Sequence, residues 1–524
     1  MNIKMEKKYL YLIVILILGT IVYVFGATRS GLWYDESVEY FFSKYMTGKV
    51  PGSTGDELNM YERICSTYQP PLYNFLMFFW LNIFDSEFGF RLAGILTTLI
   101  GSIGIFKAVE EVSDDDIYPN IGALAYIFTS SVAYYGLECA EYNLMLAFAS
   151  WTTFFFISTL LKPNVMAISS FFVFASLSVY SQYGVVFLIV AMYIVLLFHI
   201  VNAKEKSLIK VYIAGTMITG VVAALPLLTF FLIPQMTLQE SISVSHVPYF
   251  TVNVFVDFIK GMIVCLSTFF KIHTYESMGL LFLGASMVAA IITIIMSIKT
   301  KGVLLKLIWV LNITWIMYFI AVACSFYGYN SWADSYGCNN LGGRYALFFI
   351  PAVLVALILG IRQFMTYIVS INFYPGIIMK ICIIGFMIFC LTEIIMIDVT
   401  NWKKDDVREA VSFWYADGAY ESKTLLHQWD DAMFNFYLRH NEVYEDSFNK
   451  NIETAGMWIR SADEIEMTCK LEQMGYLEMD NFYYVTPVIN YSESLQTFLT
   501  IVEKKGYGVQ YVYFGDSALI HLVK

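Results

Sequence analysis

The stretch YLYLIVILILGTIVYVFGATRSGLWYDESVEYFF (residues 9–42) joins an apolar run to two neighbouring acids. Residues 9–26 carry no charged side chain and are long enough to cross the hydrocarbon core of a bilayer as a helix. Asp35 and Glu36 follow shortly afterwards. This order predicts a membrane helix that leads to a pair of carboxylates at the lipid–water interface.

The composition of the whole chain predicts the same class of protein. Of its 524 residues, 58% are hydrophobic and only 14% are charged. A soluble fold with this balance would expose far too much apolar surface. Because Lys4, Lys7 and Lys8 precede the first apolar run, a cleaved signal peptide is the alternative for that segment. The lack of a clear small-residue cleavage site and the many later apolar segments favour a membrane helix.

Eleven apolar segments are predicted to span the membrane. They lie near residues 9–26, 88–106, 120–137, 143–161, 164–180, 183–200, 211–233, 279–298, 303–324, 345–365 and 376–397. Two shorter runs, at 72–84 and 251–270, would raise the count to thirteen. With eleven spans the lysine-bearing loops fall on one side, which is cytoplasmic by the positive-inside rule. We predict a polytopic α-helical protein of the plasma membrane, with the N-terminus in the cytoplasm and the C-terminal part outside.

The last quarter of the chain differs from the rest in its charge and in its pattern of predicted secondary structure. Residues 401–524 carry 20 acidic and 11 basic side chains, so most of the net charge of −11 lies there. Periodicity predicts helices at 408–416, 429–440 and 494–506, and strands at 482–489 and 509–523. This alternation predicts a small α/β domain. The predicted domains are a membrane domain at 1–400, with a catalytic outer loop at 27–71, and an acidic extracytoplasmic domain at 401–524.

Charge and cysteine usage exclude some classes of partner. Nucleic-acid binding requires a basic face, which this acidic chain lacks. No CxxC pair occurs among the eight cysteines, so a metal site built on cysteine is not predicted. Cys65 and Cys338 lie in loops outside the apolar segments, and a disulfide between them is a hypothesis.

Two interpretations of Asp35 and Glu36 are open. Acids favour helix N-termini, so the pair could cap a helix that begins near Ser37. Alternatively, one carboxylate is a general base at the membrane surface, where partial burial would raise its pKa toward a useful value.

Further polar residues recur at the predicted outer ends of the apolar segments. Arg is costly in lipid, so an arginine there faces protein, water or an anion, or extends to the interface. Tyrosines there could line a sugar pocket or simply anchor the helices at the interface. The residues are Gln69 and Tyr73 beside Pro70 and Pro71; Arg91; Glu138, Glu141 and Tyr142; Gln182 and Tyr183; and Arg344 and Tyr345 after two glycines.

The order of these motifs resembles that of the GT-C glycosyltransferases that use polyprenyl-phosphate sugars. Within that class the chain is similar to the dolichyl-phosphate-mannose protein mannosyltransferase and aminoarabinose transferase families, over about residues 10–400. The matching elements are the Asp-Glu pair (Asp35, Glu36), a [K/Q]-P-P-L-Y element (Gln69 to Tyr73), an S-E-x-x-x-R-L element (Ser86, Glu87, Arg91, Leu92), an E-A-R-x-Y-like turn (Glu138, Ala140, Tyr142), an S-H-Y-like turn (Ser181, Gln182, Tyr183) and R-Y-x-x-x-x-x-P (Arg344, Tyr345, Pro351).

The resemblance implies transfer of a sugar from a polyprenyl-phosphate donor to a lipid, protein or glycan acceptor outside the cytoplasm. It implies that Asp35 is the general base, that Glu36 supports it, and that the anomeric carbon is inverted. Arg91 and Arg344 are the candidates for the donor phosphate, because a guanidinium can give two hydrogen bonds to it at once. The other candidates for binding the donor phosphate or sugar are Gln69, Glu138, Tyr142, Gln182, Tyr183 and Tyr345.

Two departures from the family pattern concern the donor and any metal. Glu141 stands where the E-A-R-x-Y turn usually has Arg, and Gln182 replaces the His of S-H-Y. No cofactor and no metal ligand is assigned, although a divalent metal remains open. His246 and His273, with Glu36, would be the ligands in that case.

Three other classes of function compete with glycosyl transfer. A transporter or flippase of lipid-linked saccharides is the main alternative, but such proteins often show paired halves, which this sequence lacks. A lipid-linked sugar polymerase or ligase would be an enzyme with another substrate. A receptor-like role for the acidic domain is the third, and eleven spans are many for an anchor.

Overall fold

The computed structural model describes residues 6–29, 31–48, 58–67, 69–113, 115–242, 276–324, 343–370, 407–428, 430–441, 446–460, 462–487, 492–514 and 517–524. The chain forms two compact units, each assembled from separate stretches of sequence. The membrane unit comprises Met1–Ala27, Met60–Leu76 and Arg91–Asn401. The α/β unit comprises Thr28–Asn59, Met77–Phe90 and Trp402–Lys524.

Helices make up most of the described chain. In chain order they are α1 (Lys7–Ala27), α2 (Tyr34–Lys44), α3 (Met60–Cys65), α4 (Leu72–Leu81), α5 (Glu87–Glu110), α6 (Tyr118–Ile127), α7 (Ser130–Leu137), α8 (Tyr142–Leu161), α9 (Val165–Ser181), α10 (Val186–Ala203), α11 (Lys206–Thr219), α12 (Ile233–Ile242), α13 (Glu276–Thr300), α14 (Val303–Ala323), α15 (Ile350–Ser370), α16 (Arg408–Ala416), α17 (Asp431–Arg439), α18 (Glu464–Gln473) and α19 (Ser492–Lys504). Short 3-10 helices at Tyr183–Val185 and Gly343–Phe349 lead into α10 and α15.

Length and composition confirm most of the membrane helices predicted in the described residues. The predicted 279–298 lies in α13, of which Met287–Thr300 is a shorter apolar helix. Seven of the described helical segments are long and apolar enough to cross a membrane. They are Lys7–Ala27, Glu87–Glu110, Tyr142–Leu161, Tyr183–Ala203, Lys206–Thr237, Val303–Ala321 and Ala346–Ser370. Helix α9 is a shorter apolar helix at the predicted 164–180, and α4 occupies the ambiguous 72–84. The predicted segments 251–270 and 376–397 lie outside the described residues.

The segment predicted as one span at 120–137 forms two helices instead. Helix α6 ends at Ile127, and Thr129 has an extended backbone (φ −69°, ψ 126°) before α7. The Tyr23 hydroxyl donates a hydrogen bond to the Ile127 carbonyl oxygen at 2.6 Å, and the Thr129 hydroxyl donates to the Ala125 carbonyl. Side chains therefore take the carbonyls that would continue the helix, which interrupts it.

The core of the membrane unit lies between helices α8, α9, α10, α14 and α15. Large side chains fill it, such as the fully buried Phe156, Phe171 and Phe348. Helix α11 and the π-helical turns that continue it instead expose apolar side chains, for example Met217 and Val222. An exposed apolar face of this kind is typical of a helix that contacts lipid.

The α/β unit contains a five-stranded sheet in the order β2-β1-β3-β5-β4. Its strands are β1 (Thr424–Leu426), β2 (Ile452–Thr454), β3 (Asn481–Pro487), β4 (Gly508–Phe514) and β5 (Ser517–Val523). Strand β1 pairs in parallel with β2 and β3, whereas β5 is antiparallel to β3 and β4. Helices α16, α17 and α19 and strand β3 confirm the predicted α/β pattern, whereas the run predicted as one strand at 509–523 forms the two antiparallel strands β4 and β5. The three-residue strands β1 and β2 were not predicted.

Helix α2 lies in the α/β unit and packs against α17. The sequence predicts residues 27–71 as a loop of the membrane domain, and gives no sign of this packing. The domain boundary near residue 400 stays a prediction.

The suggested disulfide between Cys65 and Cys338 is wrong, because Cys65 is not in a disulfide. This residue carries a free, buried thiol, and its Sγ contacts the carbonyl oxygen of Phe230 at 3.7 Å. Cys338 lies outside the described residues.

Candidate active site

The predicted catalytic acids lie in the first turn of α2. Glu36 is fully buried, and its Oε2 accepts a hydrogen bond from the backbone N–H of Trp33 at 3.1 Å. A glutamate at the third helical position commonly satisfies such a backbone donor at a helix start. Asp35 remains partly exposed. The two acids therefore differ: Glu36 stabilises the start of the helix, while Asp35 is the partly exposed residue of the pair.

The entry to α2 is bound to the α/β domain through Tyr437 of α17. The hydroxyl of Tyr437 accepts a hydrogen bond from the backbone N–H of Leu32 at 2.5 Å, and donates one to Oε2 of Glu87 at 3.1 Å. Oε1 of Glu87 forms an ion pair with Arg408 at 2.9 Å. We call Glu87, Arg408 and Tyr437 the Glu87 cluster. The Glu87 of the S-E-x-x-x-R-L element thus has partners in the α/β unit.

The middle of α2 is bound by a second group, the Asp85 cluster, which consists of Tyr40, Lys44, Asp85 and His440. The Tyr40 hydroxyl donates to Oδ1 of Asp85 at 2.6 Å, and Nζ of Lys44 lies 3.0 Å from Oδ2. Nε2 of His440 lies 3.5 Å from Oδ1, the same oxygen that accepts from Tyr40. Asp85 therefore contacts both α2 and the C-terminal end of α17.

Electrostatics in the Asp85 cluster favour the charged forms of Asp85 and His440 and the neutral form of Tyr40. Burial would raise the pKa of Asp85, but hydrogen bonds from His440, Tyr40 and Lys44 outweigh it and hold that pKa well below its usual range. Burial likewise would lower the pKa of His440, whereas the Asp85 carboxylate and the Phe436 carbonyl raise it, and the net shift is upward. Burial and the bond to Asp85 raise the pKa of Tyr40, which stays a donor.

The start of α2 also faces charges of the α/β domain. Burial raises the pKa of Tyr34, and the negative charges of Asp35 and Asp431 raise it further, while Arg460 opposes them. Asp431 and Arg460 therefore lie near the first turn of α2, which carries Asp35 and Glu36 and which we call the acid turn.

In the membrane unit, Arg91 forms a hydrogen bond with the turn that carries Glu138 and Tyr142. Arg91 is 1% exposed, and its Nη1 donates to the carbonyl oxygen of Leu137 at 2.7 Å. Glu138 and Tyr142 are also buried. A methyl group on Gly94 would lie 3.0 Å from the Gly136 carbonyl oxygen, so α5 approaches this turn closely only because residue 94 is glycine.

Gln69 and Tyr183 are brought together by a residue that the sequence did not single out. Nε2 of Gln235 donates to the carbonyl oxygens of Gln69 at 2.8 Å and Ile64 at 3.1 Å. Its Oε1 accepts a hydrogen bond from the Tyr183 hydroxyl at 2.8 Å. We call Ile64, Gln69, Tyr183 and Gln235 the Gln235 cluster. A lone glutamine beside Pro234, at the end of an apolar run, was the signal that could have identified it.

The turn that bears Arg344 and Tyr345 packs against the segment that carries Tyr183 of the Gln235 cluster. The 3-10 helix Gly343–Phe349 contacts both the 3-10 helix at Tyr183 and helix α8. The side chains of Arg344 and Tyr345 lie outside the described residues. Gln182 is buried, with an extended backbone at the end of α9, and Glu141 precedes α8.

The sequence analysis also missed other polar residues. Arg63 of α3 is 5% exposed, and burial lowers the pKa of its guanidinium. Tyr40, Asp85 and His440 were missed because their partners are distant in sequence. Within the described ranges, no group of three or more His, Cys, Asp or Glu residues is arranged to hold a metal ion. His246 and His273 lie outside those ranges, so a metal at Glu36 stays a hypothesis.

Comparisons with known proteins agree with this fold. Residues 68–239 match the family model described as dolichyl-phosphate-mannose-protein mannosyltransferase. ArnT from Cupriavidus metallidurans in the apo state is 12% identical, with a TM-score of 0.53, over 99% of this chain and 98% of its own. ArnT bound to undecaprenyl phosphate gives 12% identity and 0.49, over 98% of both chains. No curated protein matches the sequence.

A third solved structure is the oligosaccharyltransferase AglB from Archaeoglobus fulgidus, in complex with an inhibitory peptide and a dolichol-phosphate. It is 11% identical, with a TM-score of 0.47, over 99% of this chain and 74% of its own. The chain has the GT-C fold of membrane glycosyltransferases. The match over residues 68–239 confirms the predicted resemblance to the dolichyl-phosphate-mannose-protein mannosyltransferase family.

Proposed function

We propose that this protein is a membrane glycosyltransferase that moves a hexose or pentose from a polyprenyl-phosphate donor to an acceptor outside the cytoplasm. The family matched by residues 68–239 is named for a mannose carried on a lipid phosphate, which supports this class of donor. The donor's lipid tail would lie in the bilayer, so its anomeric carbon would meet the acceptor at the interface. The acceptor is a lipid, a protein or a glycan.

The single observation that carries the assignment of a base is the different environment of the two acids in α2. Glu36 is buried and bonded to the Trp33 N–H, so its carboxylate serves the helix start. Asp35 is the partly exposed member of the pair. A general base must reach the proton that it removes, which favours Asp35.

The proposed reaction is a single displacement with inversion. The Asp35 carboxylate takes the proton of the acceptor hydroxyl while that oxygen bonds to the anomeric carbon. The bond from this carbon to the phosphate oxygen breaks, and its electron pair leaves with the polyprenyl phosphate. A guanidinium beside that phosphate would stabilise the developing charge most in a site that excludes water.

The membrane unit supplies the proposed binding residues for the donor. Arg91 and Arg344 are the candidates for its phosphate, with Gln69, Glu138, Tyr142, Gln182, Tyr183 and Tyr345 around the sugar. Supporting this, the turns of Tyr183 and Arg344 pack together, and Gln235 ties Gln69 to Tyr183.

Substitution of Asp35 tests the proposal. Asp35→Asn keeps the shape of the side chain and removes its basicity, so we expect transfer to fall about a hundredfold or more. Mass spectrometry of lipids and glycans from cells with the wild type, the variant or no protein identifies the product and measures the loss. Asp480→Asn, the same change at an exposed site of the α/β unit, is the matched control. Near-normal product with Asp35→Asn at equal protein level would reject the assignment.

A further inference from the structure

The two clusters around α2 hold it at two points that lie on either side of Asp35. The first point is Leu32, three residues before Asp35, whose N–H is bound by Tyr437. The second is one face of the helix, where Tyr40 and Lys44, one turn apart, both bind Asp85. The acid turn therefore lies between two anchored segments of backbone.

Both anchors end on the same helix of the α/β domain. Tyr437 belongs to α17, and His440 follows directly after that helix. The ring of Phe436, also in α17, packs edge-on against Tyr40 with ring centroids 4.7 Å apart. It also stacks on His440 at 4.2 Å. Polar and apolar contacts thus join α2 and α17 along a shared face.

The acids Asp85 and Glu87 provide the link between the two helices. Asp85 binds Tyr40 and Lys44 of α2, and its Oδ1 also lies 3.5 Å from Nε2 of His440. Glu87 binds Tyr437 and Arg408 of the α/β domain. Hydrogen bonds to charged groups are stronger than neutral ones, so the loss of a partner of Asp85 or Glu87 weakens the link between the two helices.

We propose that Asp85, Glu87 and Tyr437 are positioning residues, and that through them the C-terminal stretch Trp402–Lys524 of the α/β unit sets the position of the Asp35 carboxylate. The proposal rests on the proposed function of Asp35. It gives this C-terminal stretch a role in transfer without a contact to substrate. A displacement of about 1 Å at a catalytic group can cost on the order of a hundredfold in rate. Contacts that fix the position of the Asp35 carboxylate are therefore expected to affect turnover.

The position of α2 can be tested without any substrate. Hydrogen–deuterium exchange of residues 34–44 is measured on the full-length protein, in the wild type and in Asp85→Asn, Tyr40→Phe and Tyr437→Phe. We expect exchange there to quicken about tenfold or more in Asp85→Asn and severalfold in each Tyr→Phe variant, because opening of the helix becomes easier.

The matched control is Tyr507→Phe. The Tyr507 hydroxyl donates to the carbonyl oxygens of Tyr476 and Met479 in the same unit, so this change removes comparable hydrogen bonds without touching α2. It should quicken exchange around residues 476–479 and leave residues 34–44 unchanged. Unchanged exchange of 34–44 in both Asp85→Asn and Tyr437→Phe would overturn the proposal.

The link to transfer is tested by separating binding from turnover. Binding of undecaprenyl phosphate, used as the probe, should stay within about twofold in Asp85→Asn and Tyr437→Phe. Formation of the product identified with Asp35→Asn should fall about tenfold, while Tyr507→Phe stays near wild type. Faster exchange with normal product formation would show a merely structural contact and reject the positioning role. Normal product in Asp35→Asn would instead reject the proposed function, whatever the exchange shows.

Discussion

The Gln235 cluster and the Asp85 cluster both tie distant segments together, but with different chemistry. The Gln235 cluster uses one neutral amide, a tyrosine hydroxyl and two backbone carbonyls inside the membrane unit. The Asp85 cluster uses a carboxylate, an ammonium and an imidazole in the α/β unit. Charges are tolerated where water can reach them, whereas neutral groups avoid the cost of burying an ion. The stabilisation that the Gln235 cluster provides should therefore not depend on pH, whereas that of the Asp85 cluster should.

The largest effect is expected from Gln235→Ala. The side chain is 2% exposed and satisfies three groups, each of which would be left without this partner. A buried polar group that loses its partner costs about 1–3 kcal/mol. We expect the melting temperature of the purified protein to fall by at least about 5 °C. Gln363→Ala removes an exposed glutamine bonded to Thr300 and should change it little. Equal shifts in the two variants would contradict the comparison.

An intermediate effect is expected from pH, through His440. Its Nδ1 donates to the Phe436 carbonyl at 2.8 Å, so Nε2 carries a proton toward Asp85 only when the ring is charged. The folded-state pKa is raised above the unfolded value of about 6.5, although Lys44 opposes this. The stabilisation is therefore complete below about pH 6.5 and is lost as pH rises through the folded pKa.

Hydrogen–deuterium exchange over this pH range measures that loss. Corrected for intrinsic rates, exchange of residues 34–44 should be severalfold faster at pH 8.5 than at pH 6. His440→Gln should remove the difference, and residues 60–65 beside the Gln235 cluster should show none. A pH dependence that persists in His440→Gln would assign the effect to another group.

The smallest effect is expected from ion pairs on the surface of the α/β domain. Lys505 pairs with Glu472 at 2.7 Å, with side chains 42% and 51% exposed. Exposed pairs contribute about 0–1 kcal/mol because water screens them. Lys505→Ala should therefore leave the exchange of α18 and α19 within about threefold of wild type. A change as large as that of Asp85→Asn at α2 would show that one exposed ion pair stabilises its helices as much as a carboxylate bound by three side chains.

Much of the fold could be predicted from the sequence because it is encoded locally. Apolar runs predicted most of the membrane helices, and the period of the C-terminal residues predicted helices α16, α17 and α19, strand β3 and one strand where β4 and β5 lie. The interruption between α6 and α7 could not be predicted, since it depends on the Tyr23 hydroxyl from another helix. Strands β1 and β2 have three residues each, too few for a periodic pattern.

The candidate site was predictable only as a set of motifs. The pattern located Asp35, Arg91, Glu138 and Tyr183 at the ends of apolar segments. It could not separate Glu36 from Asp35, because that distinction depends on burial and on the Trp33 N–H. Nor could it show that Glu87 binds Tyr437 of the α/β domain, since that contact joins residues 350 positions apart.

The hydrogen bond from the Leu32 N–H to the Tyr437 hydroxyl joins residues 405 positions apart in the chain. At roughly 5–20 residues per second, a ribosome would take on the order of 20–80 seconds to add that length. Helix α2 must therefore wait for the α17 segment to be translated before it finds its partner. In a growing chain, the acid turn would therefore reach its final position only late in biogenesis, after most of the membrane helices had been synthesised.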